Sequence, residues 1–155
     1  MFEPSKLKLY LVTDPHLCAS FGLLNTVNAA IKGGITMVQM RDKEASTKER
    51  IEIGRELKKI LKHTEIPLIV NDDIEAAVAI GADGIHVGQS DERTIEVRDK
   101  IGKEKIVGLS CETTQDARDA DPALVDYIGI SPVFPTKTKL DFNSHIGLDG
   151  ISDIV

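Results

Sequence analysis

The segment VQMRDK, from Val38 to Lys43, carries side chains that suit phosphate at a spacing that brings them together. Successive residues of an extended chain point to opposite sides, so Gln39, Arg41 and Lys43 are expected to share one side. Arginine offers two parallel donors and lysine a mobile positive charge, which together suit a phosphate group. The alternative is an ordinary strand end whose charged side chains are simply solvated.

Two carboxylates, Asp72 and Asp91, follow neighbouring apolar runs in the segments NDD and GQSDE. If those runs are adjacent parallel strands, both carboxylates meet at the same edge of the sheet. Mg²⁺ binds through one or two carboxylates together with substrate phosphates, so the pair predicts a magnesium site. Each could instead cap a helix: Asp72 the helix that starts near Asp73, and Ser90 or Asp91 the next one.

The segment SPVFPTKTKLD, from Ser131 to Asp141, has the composition of a rigid loop that holds an anion. Thr136, Thr138 and Lys139 offer donors, and two prolines stiffen the backbone. An exposed turn with a lysine tail is the alternative. Ser110 ends another apolar run, where its hydroxyl could reach a phosphate oxygen, although a single serine is a weak signal.

Several other chemistries are not supported by the residue spacings. His16, His63, His86 and His145 do not cluster, and none stands near a cysteine at zinc-site spacing. His86 lies within an apolar run and is predicted to be a core histidine rather than a ligand. The nucleophile motif GxSxG is absent, and neither GxGxxG nor GxxxxGK[ST] follows the first apolar run. The chemistry that remains is the handling of a diphosphate with Mg²⁺, with no covalent nucleophile required.

Composition narrows the class of protein further. The 155 residues are 41% hydrophobic and 28% charged, with a net charge of −6, which disfavours nucleic acid or an anionic membrane as the partner. No apolar run approaches the roughly 18 residues of a membrane span, and the N-terminus does not resemble a signal peptide. Cys18 and Cys111 lack CxxC spacing and are expected to be free thiols, which predicts a cytoplasmic protein.

Apolar runs rich in β-branched residues alternate with segments of helical spacing, which predicts an α/β protein with a parallel sheet. The six predicted strands begin at Leu7, Ile35, Ile66, Asp83, Lys105 and Asp126. The predicted helices are Gly22–Lys32, Thr47–His63, Asp73–Ile80, Asp91–Ile101 and Thr114–Ala120. Glycines stand where the C-caps of helices belong, at Gly33, Gly34, Gly81 and Gly102.

Polar residues after every predicted strand favour a TIM (β/α)8-type barrel over an open doubly wound sheet. In a barrel all carboxyl ends of the strands converge on one mouth, whereas an open sheet uses mainly those beside its switch point. The predicted strands recur about every 24 residues, so eight units would need roughly 190. Residues 1–155 are therefore predicted to form a single barrel domain with about six of eight βα units, ending in the start of a further helix near LDGISDIV.

The sequence resembles the thiamine-phosphate synthase family, whose motifs recur in order and spacing over nearly the whole chain. They are VTD (Val12–Asp14), GGITMVQMRDK (Gly33–Lys43), IPLIVNDD (Ile66–Asp73), GADGIHVGQSD (Gly81–Asp91), GLS (Gly108–Ser110) and DYIGISPVFPTKTK (Asp126–Lys139). The resemblance implies a TIM-barrel transferase that joins hydroxymethylpyrimidine diphosphate to thiazole phosphate. The implied products are thiamine phosphate and pyrophosphate.

The resemblance also implies roles for individual residues. It makes Asp72 and Asp91 the ligands of Mg²⁺, and Thr136 and Thr138 contacts to the thiazole phosphate. It assigns the pyrimidine diphosphate to Gln39, Arg41, Lys43, Asn71, Ser110 and Lys139. The catalytic roles are expected for Arg41, Lys43, Ser110 and Lys139.

Two alternatives accompany this interpretation. A sister group on the same scaffold isomerises a thiazole carboxylate phosphate and carries a histidine two residues after the fifth-strand serine, where this sequence has Glu112. That difference, and the presence of Asp91, favour the synthase. The family continues through two more strands that form a phosphate cup, so a truncated barrel that binds phosphate without catalysis is the second alternative. Small phosphorylated substrates are the expected partners, and assembly into a homo-oligomer is left open.

Overall fold

The computed structural model describes residues 2–90, 93–135 and 145–154. Every predicted strand is confirmed, each starting one to three residues later than the apolar run that predicted it. The strands are β1 (Tyr10–Val12), β2 (Met37–Met40), β3 (Leu68–Asn71), β4 (Gly84–Val87), β5 (Ile106–Cys111) and β6 (Tyr127–Ile130). A 3-10 helix, Pro4–Leu7, ends on the first residue of the segment predicted for β1, and the strand begins three residues later.

The helices of the described residues lie between and after these strands. They are α1 (Pro15–Cys18), α2 (Leu23–Lys32), α3 (Thr47–Leu61), α4 (Ile74–Ile80), α5 (Thr94–Ile101), α6 (Thr114–Asp119) and α7 (Gly147–Ser152). Five were predicted as whole helices, and α7 lies where a further helix was expected to begin. Residues 2–90, 93–135 and 145–154 include no helix that is both long and apolar enough to cross a membrane.

Helix α1 was not predicted, although the sequence contains its start signal. The Asp14 side chain accepts hydrogen bonds from the backbone N–H groups of His16 and Leu17. Pro15 occupies the first helical position, where its missing N–H costs nothing. Thr13 and Asp14 were interpreted as the polar end of the first strand, and the helix that starts at Pro15 was not predicted.

The described strands form one sheet in the order β1-β2-β3-β4-β5-β6, and every neighbouring pair is parallel. Strands therefore lie side by side in chain order, without the reversal that creates a switch point in a doubly wound sheet. The sheet with its helices is a half-barrel of six parallel strands. All carboxyl ends of the strands consequently open on the same side.

The two faces of the sheet bury different sets of side chains. Val38, Leu68 and Ile85 have no exposed surface and pack on the side of the helices. On the inner face Met37 and Ile69 are fully buried beside Tyr127. Alternation along each strand places apolar residues low on the inner face and leaves its upper positions to polar side chains.

Candidate active site

A cavity of about 800 Å³ opens at the carboxyl ends of the strands. Every predicted site residue that the structure describes lines it, and these residues are Gln39, Arg41, Lys43, Asn71, Asp72 and Ser110. The other predicted site residues, Asp91, Thr136, Thr138 and Lys139, lie outside the described residues. The structure thus brings together the end of β2, the end of β3 and the end of β5, as the sequence predicted.

The loop after β2 directs its charged residues to opposite sides. The buried Thr13 accepts a 3.1 Å hydrogen bond from the backbone N–H of Arg41, which ties β1 to the end of β2. Asp42 turns away from the cavity and accepts from the N–H groups of Glu44 and Ala45. Arg41 is half-buried at the cavity wall. The alternation predicted from VQMRDK is therefore confirmed.

The alternative interpretation of Asp72 was that it caps helix α4. That alternative is wrong, because Asp73 is the N-cap of α4 and accepts a 2.9 Å hydrogen bond from the N–H of Ala76. Asp73 also pairs with Arg50 at 2.9 Å. Asp72 instead has a left-handed backbone with φ of 60°, an uncommon conformation that aspartate tolerates better than most residues.

The capping alternative for the next helix is also corrected. Helix α5 begins at Thr94 with Arg93 as its N-cap, and the Arg93 side chain makes no capping hydrogen bond. Ser90 is therefore not the cap, and it lines the cavity. Asp91 lies outside the described residues, so its predicted part in the magnesium site stays a prediction.

Five inner-face side chains form a continuous chain of hydrogen bonds across the floor of the cavity. Gln39 Nε2 donates to the Tyr10 hydroxyl at 2.8 Å, and that hydroxyl lies 2.8 Å from the Tyr127 hydroxyl. His86 bridges the remaining gap, with Nδ1 3.0 Å from the Tyr127 hydroxyl and Nε2 2.9 Å from Ser110 Oγ. Gln39 and His86 are buried, and hydrogen bonds in such surroundings are stronger than in water.

Burial also sets the protonation of the two phenols. It raises the pKa of Tyr10 to about 12, against the opposing effect of its hydrogen bonds to Tyr127 and Gln39. Burial raises the pKa of Tyr127 still further, with the nearby Tyr10 adding to the effect. Both phenols are therefore neutral hydrogen-bond donors at physiological pH.

The sequence reasoning missed most of this network. His86 is buried, as predicted, but it also lines the cavity and bonds to a predicted site residue. Tyr10 and Tyr127 line the cavity and were not proposed for the site. Alternation along each strand could have placed both side chains on the inner face. Their register with Gly108, two positions before Ser110, is visible only in the sheet.

The cysteines take no part in the site. Cys18 and Cys111 are free thiols, as expected, and both are buried. Burial, with a smaller effect of the Asp116 carboxylate, raises the pKa of Cys111 to about 11. A buried thiol that stays protonated is a poor nucleophile.

The fold and the cavity define a barrel-type parallel α/β protein whose strand ends present cationic, amide and hydroxyl groups to an anionic ligand. A family model described as thiamine monophosphate synthase matches residues 9–155. The chain belongs to this family.

Individual relatives agree with the family match. The thiamine-phosphate synthase of Xanthobacter autotrophicus is 46% identical over 147 residues, covering 95% of this chain and 70% of the relative. The one from Syntrophomonas wolfei is 42% identical over 150 residues, covering 97% and 72%. Among solved structures, the thiamine phosphate pyrophosphorylase from Pyrococcus furiosus superposes with a TM-score of 0.83 at 35% identity, covering 97% of this chain and 70% of that one. Family, relatives and structure therefore identify thiamine-phosphate synthase, a transferase, as the function.

Proposed function

We propose that the cavity is the active site of a Mg²⁺-dependent thiamine-phosphate synthase that joins hydroxymethylpyrimidine diphosphate to thiazole phosphate. The observation that carries the proposal is the convergence of Gln39, Arg41, Lys43, Asn71, Asp72 and Ser110 on one cavity of a family member. Those residues come from three strand ends that are remote in sequence. A solvated strand end would not explain their meeting.

The chemistry needs electrostatics and positioning more than a base. The bond between the pyrimidine methylene carbon and the diphosphate oxygen breaks, and its electron pair leaves with pyrophosphate. The thiazole nitrogen then donates its lone pair to the methylene cation and forms the new C–N bond. An enzyme lowers this barrier by neutralising the leaving group and holding the thiazole in line.

Roles for the lining residues follow from their charge and place. Arg41 gives a bidentate fork to the diphosphate and Lys43 a second positive charge. Asn71 and Ser110 offer neutral donors at the ends of β3 and β5. The proposal keeps Lys139 as a further diphosphate contact and Thr136 and Thr138 as contacts to the thiazole phosphate, on the strength of the family resemblance.

The donor set beside Asp72 fits magnesium. A carboxylate at the wall of a cavity that also carries phosphate-binding cations suits Mg²⁺, which takes oxygen ligands from protein and substrate together. The described residues contain no cluster of three or more His, Cys, Asp or Glu that could hold a metal alone. By the family resemblance, Asp72 and Asp91 would hold the ion jointly with the substrate. When bound, Mg²⁺ supplies positive charge to the leaving pyrophosphate.

An assay for thiamine phosphate tests the proposal directly. The purified chain is mixed with both substrates and Mg²⁺, and the Pyrococcus furiosus protein is run alongside. Product from the parent chain is expected. The rate of product formation should fall at least ~10-fold in Lys43→Ala. It should not change in Arg55→Ala, whose side chain is exposed on α3. No product from this chain, alongside product from a longer form of it, would confine the activity to the longer form. A product of thiazole isomerisation instead would favour the sister group.

The finer description of the fold is also a proposal. The six units are proposed to belong to a single eight-unit (β/α)8 barrel, because the strands lie in barrel order and the two curated relatives are longer than this chain. Two further strands beside β1 and β6 would close the sheet. Light scattering during gel filtration measures whether copies of the chain associate. The buried free thiols support a reducing, cytoplasmic location.

A further inference from the structure

The hydrogen-bond chain on the cavity floor joins two proposed diphosphate ligands through three residues that have no assigned role. Gln39 stands at one end and Ser110 at the other. The residues between them are Tyr10, Tyr127 and His86. The five side chains come from five different strands, so the chain exists only in the folded sheet.

The chemistry of the groups determines which one donates each hydrogen bond. The amide nitrogen of Gln39 can only donate, so the Tyr10 hydroxyl accepts from it and gives its single proton to Tyr127. Tyr127 then donates its own proton to Nδ1 of His86. A neutral imidazole that accepts at Nδ1 carries its proton on Nε2.

The opposite direction would leave a buried proton without an acceptor. If Tyr127 donated to Tyr10, the Tyr10 hydroxyl would accept twice and its proton would have no partner within the chain of five. Buried polar groups are almost always paired, because leaving one unsatisfied forfeits the hydrogen bond that it would make with water. The raised pKa values of both phenols agree with their role as proton donors.

Glycines make room for the central part of this chain. Gly108 pairs in register with His86 on one side and with Tyr127 on the other. A Cβ atom at Gly108 would overlap both the imidazole and the phenol ring. A Cβ atom at Gly129 would lie 3.2 Å from Cε1 of His86, so the ring is confined on that side as well. The meeting of imidazole and phenol is therefore built into the backbone.

We propose that Tyr10, Tyr127 and His86 are positioning residues that fix the proton of Ser110. His86 donates from Nε2 to Ser110 Oγ, which accepts and presents its own proton to the cavity. The receiving atom is a diphosphate oxygen, and this last point rests on the proposed function. Because Ser110 accepts from His86, it does not give its own proton to Nε2. The hydroxyl proton therefore stays available for the anion.

Nitrogen NMR of histidine-labelled protein tests the proton direction without any substrate. At pH 7.5, His86, assigned through the loss of its signals in His86→Gln, is expected to be neutral with the proton on Nε2. In Tyr127→Phe the Nδ1 resonance is expected to move, because that nitrogen loses its donor. A proton on Nδ1 in the parent, or an unmoved Nδ1 resonance in Tyr127→Phe, would overturn the inference.

Calorimetric titration with inorganic pyrophosphate and Mg²⁺ tests the link to the ligand. Tyr127→Phe is expected to weaken binding about 3- to 10-fold, yet to have little further effect in a Ser110→Ala background. An equal loss in both backgrounds would show that Tyr127 acts on the fold rather than through Ser110. A parent that carries the Nε2 proton but does not bind pyrophosphate would refute the diphosphate as the acceptor and count against the proposed function, while the proton direction would stand.

Discussion

Asp72 and Asp73 are adjacent in the chain but serve opposite sides of the sheet. Asp73 caps α4 and pairs with Arg50 at 2.9 Å, on the side of the helices. Asp72 has a φ of 60° and lines the cavity on the other side. The left-handed turn between them separates a carboxylate that stabilises the fold from one that is proposed to bind metal.

Replacing the Asp72 carboxylate by an amide is expected to weaken Mg²⁺ binding. Asp72→Asn preserves the shape of the side chain and tolerates the positive φ. Mg²⁺ with pyrophosphate should raise the Tm of the parent by mass action, and the variant should need at least ~10-fold more Mg²⁺ for the same shift. Asp99→Asn, at an exposed position on α5, is the matched control. Identical titrations for Asp72→Asn and the parent would remove Asp72 from the metal site.

Stability should depend on pH through Asp73. Burial raises the pKa of Asp73, but hydrogen bonds from Ala76, Arg50 and Thr47 and the charge of Arg50 outweigh it and hold the pKa below the ordinary 3.8. A lowered pKa stabilises the fold above the ordinary value, and this contribution disappears as pH falls through the lowered pKa. Asp73→Asn, which keeps a capping oxygen, should therefore cost about 1–2 kcal/mol at pH 7.

The same comparison in acid provides the control for Asp73. Below pH 3.8 the difference between parent and Asp73→Asn should shrink, because the parent carboxylate becomes protonated. Urea unfolding at several pH values measures it. A constant difference across the whole range would mean that charge plays no part.

The guanidinium of Arg41 is expected to matter for its shape as well as its charge. Arg41→Lys keeps the positive charge but loses the planar fork, so pyrophosphate affinity should fall about 10-fold, or about 1.4 kcal/mol. The same exchange at the exposed Arg55 should change nothing. Calorimetric titration of both variants with pyrophosphate distinguishes the effect of shape from the effect of charge. Equal affinity in Arg41→Lys and the parent would show that Arg41 acts only as a point charge.

Space at Gly108 is expected to be essential to the fold of the inner face. Gly108→Ala forces Tyr127 and His86 apart, which should cost about 1–3 kcal/mol or more. Gly129→Ala meets only a 3.2 Å contact with His86 and should cost less. Urea unfolding of both variants ranks them. A smaller loss for Gly108→Ala than for Gly129→Ala would contradict the packing described above.

Local patterns account for much of what the sequence predicted. The alternation in VQMRDK was enough to predict that Arg41 faces the cavity, because successive side chains of an extended chain point to opposite sides. Gly33, Gly81 and Gly102 end helices where they were expected to, since the C-cap is also a local signal. The start of β1 was predicted three residues too early, and the alternative cap of α4, Asp72, lies one residue before the observed cap.

By itself the sequence determined the alternation of strands and helices, the parallel sheet and the six cavity residues, because these follow from local periodicity and from motifs. The tertiary structure alone decided the chain of hydrogen bonds from Gln39 to Ser110. Tyr10 and Tyr127 are 117 residues apart and meet at 2.8 Å only because the curved sheet brings β1 and β6 to the same inner face. Periodicity reports which face a side chain occupies, whereas contact across the face depends on curvature and on the space that Gly108 leaves.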